Sequence, residues 1–192
     1  TATGALTDWN PLDGTTRPWP GVVRDGRLYT HLYLPRRTSA ILAVAPQGAP
    51  QPATALPTPG AVAVTLADPW QAFDDTGQPI AVTASGDWAR QPGWETFAGR
   101  LRFSTTFLLS ADQVAQPLFL DLGQVGDIAE VWLNGLSVGV GAWAPYCLRI
   151  DPHCQAGLNH VDVWVTNSIA NFYEGLQLPS GVIGPALIRY GA

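Results

Sequence analysis

Residues 100–109 read RLRFSTTFLL, so that Leu101, Phe103, Thr105, Phe107 and Leu109 alternate with Arg100, Arg102, Ser104 and Thr106. Period-two alternation places successive side chains on opposite faces of an extended chain, which predicts a strand with one core face and one wet face. The same pattern recurs in Val62, Val64 and Leu66, in Leu118, Leu120 and Leu122, in Ala129, Val131 and Leu133, and in Val161, Val163 and Val165. Turn residues separate these runs at 74–77, 112–117, 123–127, 134–135 and 157–159. Asn134-Gly135 after Val131-Trp132-Leu133 is a two-residue hairpin signal, because both turn positions need a positive φ. Short strands at this spacing predict an all-β class, with an antiparallel β-sandwich or jelly roll over residues 61–192. The one helical turn expected has Asp151 as N-cap, Pro152 at the first position and Gly157 as terminator.

Composition agrees with this reading. Twenty Gly and 17 Pro among 192 residues leave few stretches long enough for a helix. The hydrophobic fraction of 46%, without a long apolar run, excludes a disordered chain and a transmembrane helix. All ten basic residues are Arg and the net charge is −5, so a phosphate-tracking surface for nucleic acid is not expected. Absent Lys and Met, with abundant Ala, Gly and Pro, fit a G+C-rich bacterial genome and a piece of a longer chain. No charged segment followed by an apolar run opens the sequence, so a secretion signal is expected to have been removed or to lie further upstream.

Residues 46–60, PQGAPQPATALPTPG, contain five Pro and read as an extended linker. Residues 1–45 form a small β segment, with a turn at 10–14, an Asp25-Gly26 hairpin, and short strands in LYTHLYL and AILAVA. These are too few to close a core alone, so the segment either packs on the sandwich or ends a preceding domain.

Several strings in this order carry a resemblance: WETFAGRLRFSTTF from Trp94, LFLDLGQVGDIAEVWLNGLSVG from Leu118, APYCLRID from Ala144, VDVWVTN from Val161, and SGVIGP from Ser180. Together they resemble the galactose-binding-like, sugar-binding β-sandwich of family 2 glycoside hydrolases. They also resemble the jelly roll near the carboxyl end of family 106 α-L-rhamnosidases. The opening WNPLDG and LYLPRRTSAILAV look like the small β segment that precedes that sandwich. Arg149 stands where the family usually has Asp, and Cys154 takes an apolar place. The resemblance implies a domain of an exported bacterial enzyme, secreted or periplasmic, whose catalytic carboxylates lie in a separate barrel. Oligo- or polysaccharide and that catalytic domain are the implied partners; nucleic acid and membrane are not.

No catalytic site is expected in the chain itself. Glycoside hydrolysis takes two carboxylates roughly 5 to 9.5 Å apart, and Glu95, Glu130 and Glu174 fall on loops and on the polar side of a strand. There is no Gly-rich phosphate loop and no G-x-S-x-G elbow. Cys147, His153, Cys154 and His160 form a C-x5-H-C-x5-H series without the close spacing of structural zinc sites. Asp74, Asp75 and Asp127 read first as turn residues, with ligands of a structural Ca²⁺ as the alternative that no spacing indicates, so no metal or cofactor is expected. Cys147 and Cys154 could be bridged if the turn at Asp151 brings their Cα atoms within about 7 Å.

Sugars stack their C–H faces on aromatic rings and anchor their hydroxyls on polar side chains. Loops 86–97 and 167–178 flank the first and last long strands, and by the resemblance they reach toward a catalytic pocket. Their candidate ligand-binding residues are Trp88, Trp94, Asn167, Asn171, Phe172 and Tyr173, with Trp143 next. The alternative is that Trp94 anchors a strand entry and that Phe172 and Tyr173 plug one end of the sandwich. Trp132 and Trp164 are out of phase with the core valines and point away from it, to cover a sheet face or line a groove. Two functions follow: a noncatalytic carbohydrate-binding module, or an accessory domain that buttresses a barrel without sugar affinity of its own.

Overall fold

The computed structural model describes residues 4–11, 14–32, 34, 39–45, 57–66, 70–82 and 86–191. The chain separates into two units, Thr1–Leu56 and Pro57–Ala192. In the first, β1 (Ala5–Trp9) pairs antiparallel with β2 (Thr16–Trp19) across the turn at Asn10. A hairpin of β3 (Val22–Arg24) and β4 (Arg27–Tyr29) turns on Asp25-Gly26, whose φ values of 49° and 68° suit a tight two-residue connection. The other edge of β1 carries β5 (Ile41–Ala45). Leu32 and Leu34, from the expected LYTHLYL strand, lie outside any strand. Most of the expected linker, residues 46–56, lies outside the described residues.

The second unit opens with β6 (Pro59–Thr65), which begins inside the expected linker, followed by β7 (Gln71–Phe73) and β8 (Pro79–Ile80). Next come β9 (Arg100–Leu109), α1 (Ala111–Val114), β10 (Leu118–Asp121) and β11 (Gln124–Gly126). Then follow β12 (Ile128–Leu133), β13 (Leu136–Gly141), β14 (Cys147–Arg149), β15 (Gly157–Thr166), α2 (Ala170–Glu174), β16 (Gly181–Gly184) and β17 (Leu187–Gly191). A six-stranded sheet runs β13-β12-β15-β9-β7-β8 and a four-stranded sheet runs β14-β10-β17-β6, with β11 and β16 paired beside them. The pairings are antiparallel, and the unit is the all-β sandwich expected.

Alternation builds the core. Leu101, Phe103, Phe107 and Leu109 from β9, Ala129, Val131 and Leu133 from β12, and Val161, Val163 and Val165 from β15 are all buried. They cluster with Leu118 and Leu120 of β10 and Ile188 of β17. Each large side chain fully withdrawn from water contributes roughly 1.5–3 kcal/mol. Asn134 and Gly135 turn the β12–β13 hairpin with φ of 52° and 80°, as the dipeptide requires.

The helical content departs from expectation. Residues Asp151–His153 form a 3-10 turn, but Asp151 does not cap it; its carboxylate accepts from Arg149 and from the Leu118 amide. α1 occupies the expected turn at 112–117, because Ser110 and Gln113 form a reciprocal capping box. A further 3-10 turn, Trp88–Arg90, is capped by Asp87, and α2 lies in the second candidate loop.

Candidate functional site

The register β12–β15–β9 brings Ile128, Thr166 and Arg100 side by side, so the segments just outside them meet at one end of the sandwich. Both candidate loops are there. Asn167 joins them: its Oδ1 accepts the Gly99 amide at 2.8 Å, and its Nδ2 donates to the Phe97 carbonyl at 2.8 Å and to Ser180 Oγ at 3.0 Å. Asn171 Nδ2 donates to the same Ser180 hydroxyl at 3.0 Å and to the Leu178 carbonyl at 3.0 Å, and its Oδ1 accepts the Leu178 amide at 2.7 Å. Asp87 Oδ1 accepts the Ser180 amide, and the Trp88 amide donates to the Ser180 carbonyl.

This knot reassigns three sequence candidates. Asn167 and Asn171 are buried and spend their amides on the protein, because a buried amide without partners would cost about 1–3 kcal/mol per group. Trp88 is fully buried and stacks on Phe103 at 5.8 Å with 11° between the planes, so no face of it remains for a ligand. Its loop position suggested exposure; the cap at Asp87 turns the ring inward instead.

The remaining candidates reach solvent. Phe172 and Tyr173 on α2 are 62% and 75% exposed and touch edge to face at 5.2 Å. Ile169, Leu176 and Leu178 are exposed beside them in sequence. Trp143 is exposed in the segment after β13, near Tyr146, whose hydroxyl donates to the Asp127 carbonyl. Trp94 is half-buried, with its ring edge to face against Phe97 at 5.0 Å and 70°.

Trp94 borders a cleft of about 360 Å³ with Asp74, Asp75, Phe97 and Arg100. Arg100 was legible only as the first polar residue of a strand, and Asp75 only as a turn residue. Asp74 shapes the β7–β8 turn by accepting from Thr76 and Gln78, which holds its carboxyl below the usual carboxylate range, the Thr76 hydroxyl being the largest cause. Burial pushes the Asp127 carboxyl up, against the Ser168 amide that donates to it. Gly126, next to Asp127, lies so near the Pro179 carbonyl that a Cβ there would come within 1.8 Å of its oxygen.

The outer face of the six-stranded sheet is also ordered. Trp164 lies under Arg100 and Arg102 at 4.4 and 5.6 Å, Arg102 covers Phe73 at 4.5 Å, and Arg100 pairs with Glu130 at 2.7 Å. Trp164 and Trp132 thus face away from the core, as their phase implies, with Trp132 38% exposed. Glu130 is held by Arg100, and Glu95 accepts the Gly93 amide. Cys147 and Cys154 are free thiols, each pushed up to about 12 mainly by burial. Among the described residues no three His, Cys, Asp or Glu side chains form a metal site.

No protein-family model matches the chain. A solved rhamnosidase from Novosphingobium sp. PP1Y matches 98% of the chain at a TM-score of 0.78 and 26% identity, and the match spans 20% of that enzyme. A calcium-binding mutant of Bacteroides uniformis beta-glucuronidase 2 shares the fold over 66% of the chain, at a TM-score of 0.51 and 17% identity, across 18% of its own length. A curated protein of Formosa agariphila, provisionally named a beta-glucuronidase, is 39% identical over 77 residues, which are 39% of this chain and 7% of that protein. The chain thus spans about a fifth of the solved enzymes and under a tenth of the curated relative. It is similar to a part of glycoside hydrolases.

Proposed function

We propose that the chain is a noncatalytic carbohydrate-binding domain of a bacterial glycoside hydrolase, of the galactose-binding-like jelly-roll kind, exported to the periplasm or beyond. One observation carries this: Trp94, Trp143, Phe172 and Tyr173 keep exposed or half-exposed rings on one end of a sandwich whose neighbouring amides are already satisfied. Rigid rings beside polar groups suit the two faces of a pyranose. The likeness to a fifth of a rhamnosidase supports a role alongside a catalytic domain. The domain would then act by effective concentration, holding polysaccharide near that domain without new chemistry.

A second reading has its own support. Ile169, Phe172, Tyr173, Leu176 and Leu178 place five exposed apolar side chains within ten residues, the kind of surface a barrel would cover. In that case the domain buttresses the catalytic unit and has no sugar affinity.

An affinity-gel or glycan-array screen of the folded chain, with rhamnose-, galactose- and xylose-containing polysaccharides, separates the two. Retention on one glycan class that is lost in Trp94→Ala or Tyr173→Ala supports binding. No retention on any glycan leaves the buttress.

A further inference from the structure

The cleft at Trp94 has the size and chemistry of a site for one sugar ring. Its volume of about 360 Å³ sits near the lower end of the roughly 300–1,000 Å³ that small-molecule sites span. We propose that it holds a single neutral pyranose, stacked on Trp94, with two adjacent hydroxyls shared between Asp75 and Arg100. This rests on the carbohydrate-binding reading and names its site and ligand class.

The Trp94 ring and the Arg100 guanidinium are held in place before any ligand arrives. The Trp94 ring is fixed by its edge-to-face contact with Phe97. The Arg100 guanidinium is pinned by Glu130 at 2.7 Å and by the Trp164 ring at 4.4 Å. That contact engages Nη2, and a guanidinium carries five N–H donors, so others remain for a sugar oxygen. Asp74 is occupied in building the turn, with Oδ1 accepting the Thr76 amide, the Thr76 hydroxyl and the Gln78 amide. The same turn presents Asp75, which is exposed and has no hydrogen bond or ion pair with a described residue. Preformed groups lose little conformational freedom on binding, and that favours affinity from a small contact.

The charge pattern selects the ligand. Arg100 is already neutralised by Glu130, while Asp74 and Asp75 both line the cleft. A uronate would bring its carboxylate against two others, with no second cation among the described residues that line the cleft. A neutral ring with vicinal hydroxyls satisfies both partners, because the carboxylate accepts two O–H groups and the guanidinium donates to their oxygens.

The test is a calorimetric titration of the full chain with methyl α-L-rhamnopyranoside, methyl β-D-galactopyranoside, methyl β-D-xylopyranoside and methyl β-D-glucuronide. Indole fluorescence is followed in parallel. At least one neutral glycoside is expected to bind, with the glucuronide about tenfold weaker or worse. Asp75→Asn, at an exposed position, is expected to weaken binding about tenfold at an unchanged melting temperature, the scale of a lost charged hydrogen bond. Leu158→Ala, at an exposed position on the end of β15 away from Thr166, is expected to leave binding intact. Neutral-sugar binding that survives Asp75→Asn and disappears in Tyr173→Ala overturns the cleft while the carbohydrate-binding reading stands. Preference for the glucuronide overturns the ligand class alone. No binding of any glycoside or polysaccharide by the folded chain overturns both.

Discussion

Asn167 and Ser180 share a buried hydrogen bond of 3.0 Å between Nδ2 and Oγ, and through it the two loops at one end of the sandwich hold each other. The Ser180 hydroxyl also accepts from Asn171 and donates to the Leu178 carbonyl, so a single small side chain closes the 167–180 loop on itself, while Asn167 ties that loop to residues 97–99.

Replacing Asn167 by Ala leaves the Gly99 amide and the Phe97 carbonyl without their side-chain partner and removes one of the hydrogen bonds of the Ser180 hydroxyl. A loss of about 3 kcal/mol of unfolding free energy is expected, at the upper end for unsatisfied buried groups. Urea denaturation measures it, and a loss under about 1 kcal/mol would mean that water replaces the amide.

Trp88 and Tyr173 separate core from surface within the same set of sequence candidates. Trp88→Ala should cost about 3–5 kcal/mol by opening a cavity against Phe103. Tyr173→Ala, at a side chain 75% exposed, should fall within about 0.5 kcal/mol of the parent. Melting curves of the two variants side by side decide this, and equal destabilisation contradicts the assignment.

Acid stability should run through Asp151. Burial pushes its carboxyl up, but the Arg149 hydrogen bonds at 2.7 and 2.9 Å, with the Leu118 amide, outweigh burial and hold it below the usual range. A depressed carboxyl contributes stability above its unfolded value of about 4, and loses it as the pH falls through the folded value. Asp151→Asn should therefore flatten the acid limb of a stability–pH curve. Asp127 is shifted upward by burial, so its protonation favours the fold, and Asp127→Asn should steepen the same limb. Urea midpoints across the acid range test both, and parallel curves for the three proteins would refute the pairing.

Both thiols should be silent in the folded protein. Burial pushes Cys147 and Cys154 up to about 12, with Asp121 and Asp151 adding to the shift respectively. The neutral thiols favour the fold below their unfolded value, and this contribution is lost as the pH rises toward about 12. A thiol-specific chromogenic reagent at mildly alkaline pH is expected to react slowly with native protein and to count two thiols in urea. Prompt reaction of the native chain would show that one of them is open to solvent.

Several elements could be read directly because their information is local. Alternation over 100–109, 128–133 and 161–165 dictates which side chains of β9, β12 and β15 turn inward, whatever strand lies alongside. Asn134-Gly135 likewise encodes a hairpin in two residues, since few dipeptides tolerate consecutive positive φ. The capping box at Ser110 was equally local; the turn residues around it masked a signal that was present.

The candidate site divides along the same line. Aromatic and amide residues in two loops were visible as types, but type does not say whether a ring faces the core. Trp88 and Trp94 are six residues apart in one loop. The first is buried because the Asp87 cap and the Ser180 backbone turn it inward, and the second borders a cleft. Asp75 and Arg100 lie 25 positions apart and line one cleft only because β7 pairs with β9. Sequence alone determined the inward faces of β9, β12 and β15 and the all-β class, since those follow from period-two patterning within single segments. Which polar groups are spent inside the fold, and which still face solvent, is a matter of long-range pairing, and only the tertiary structure decided it.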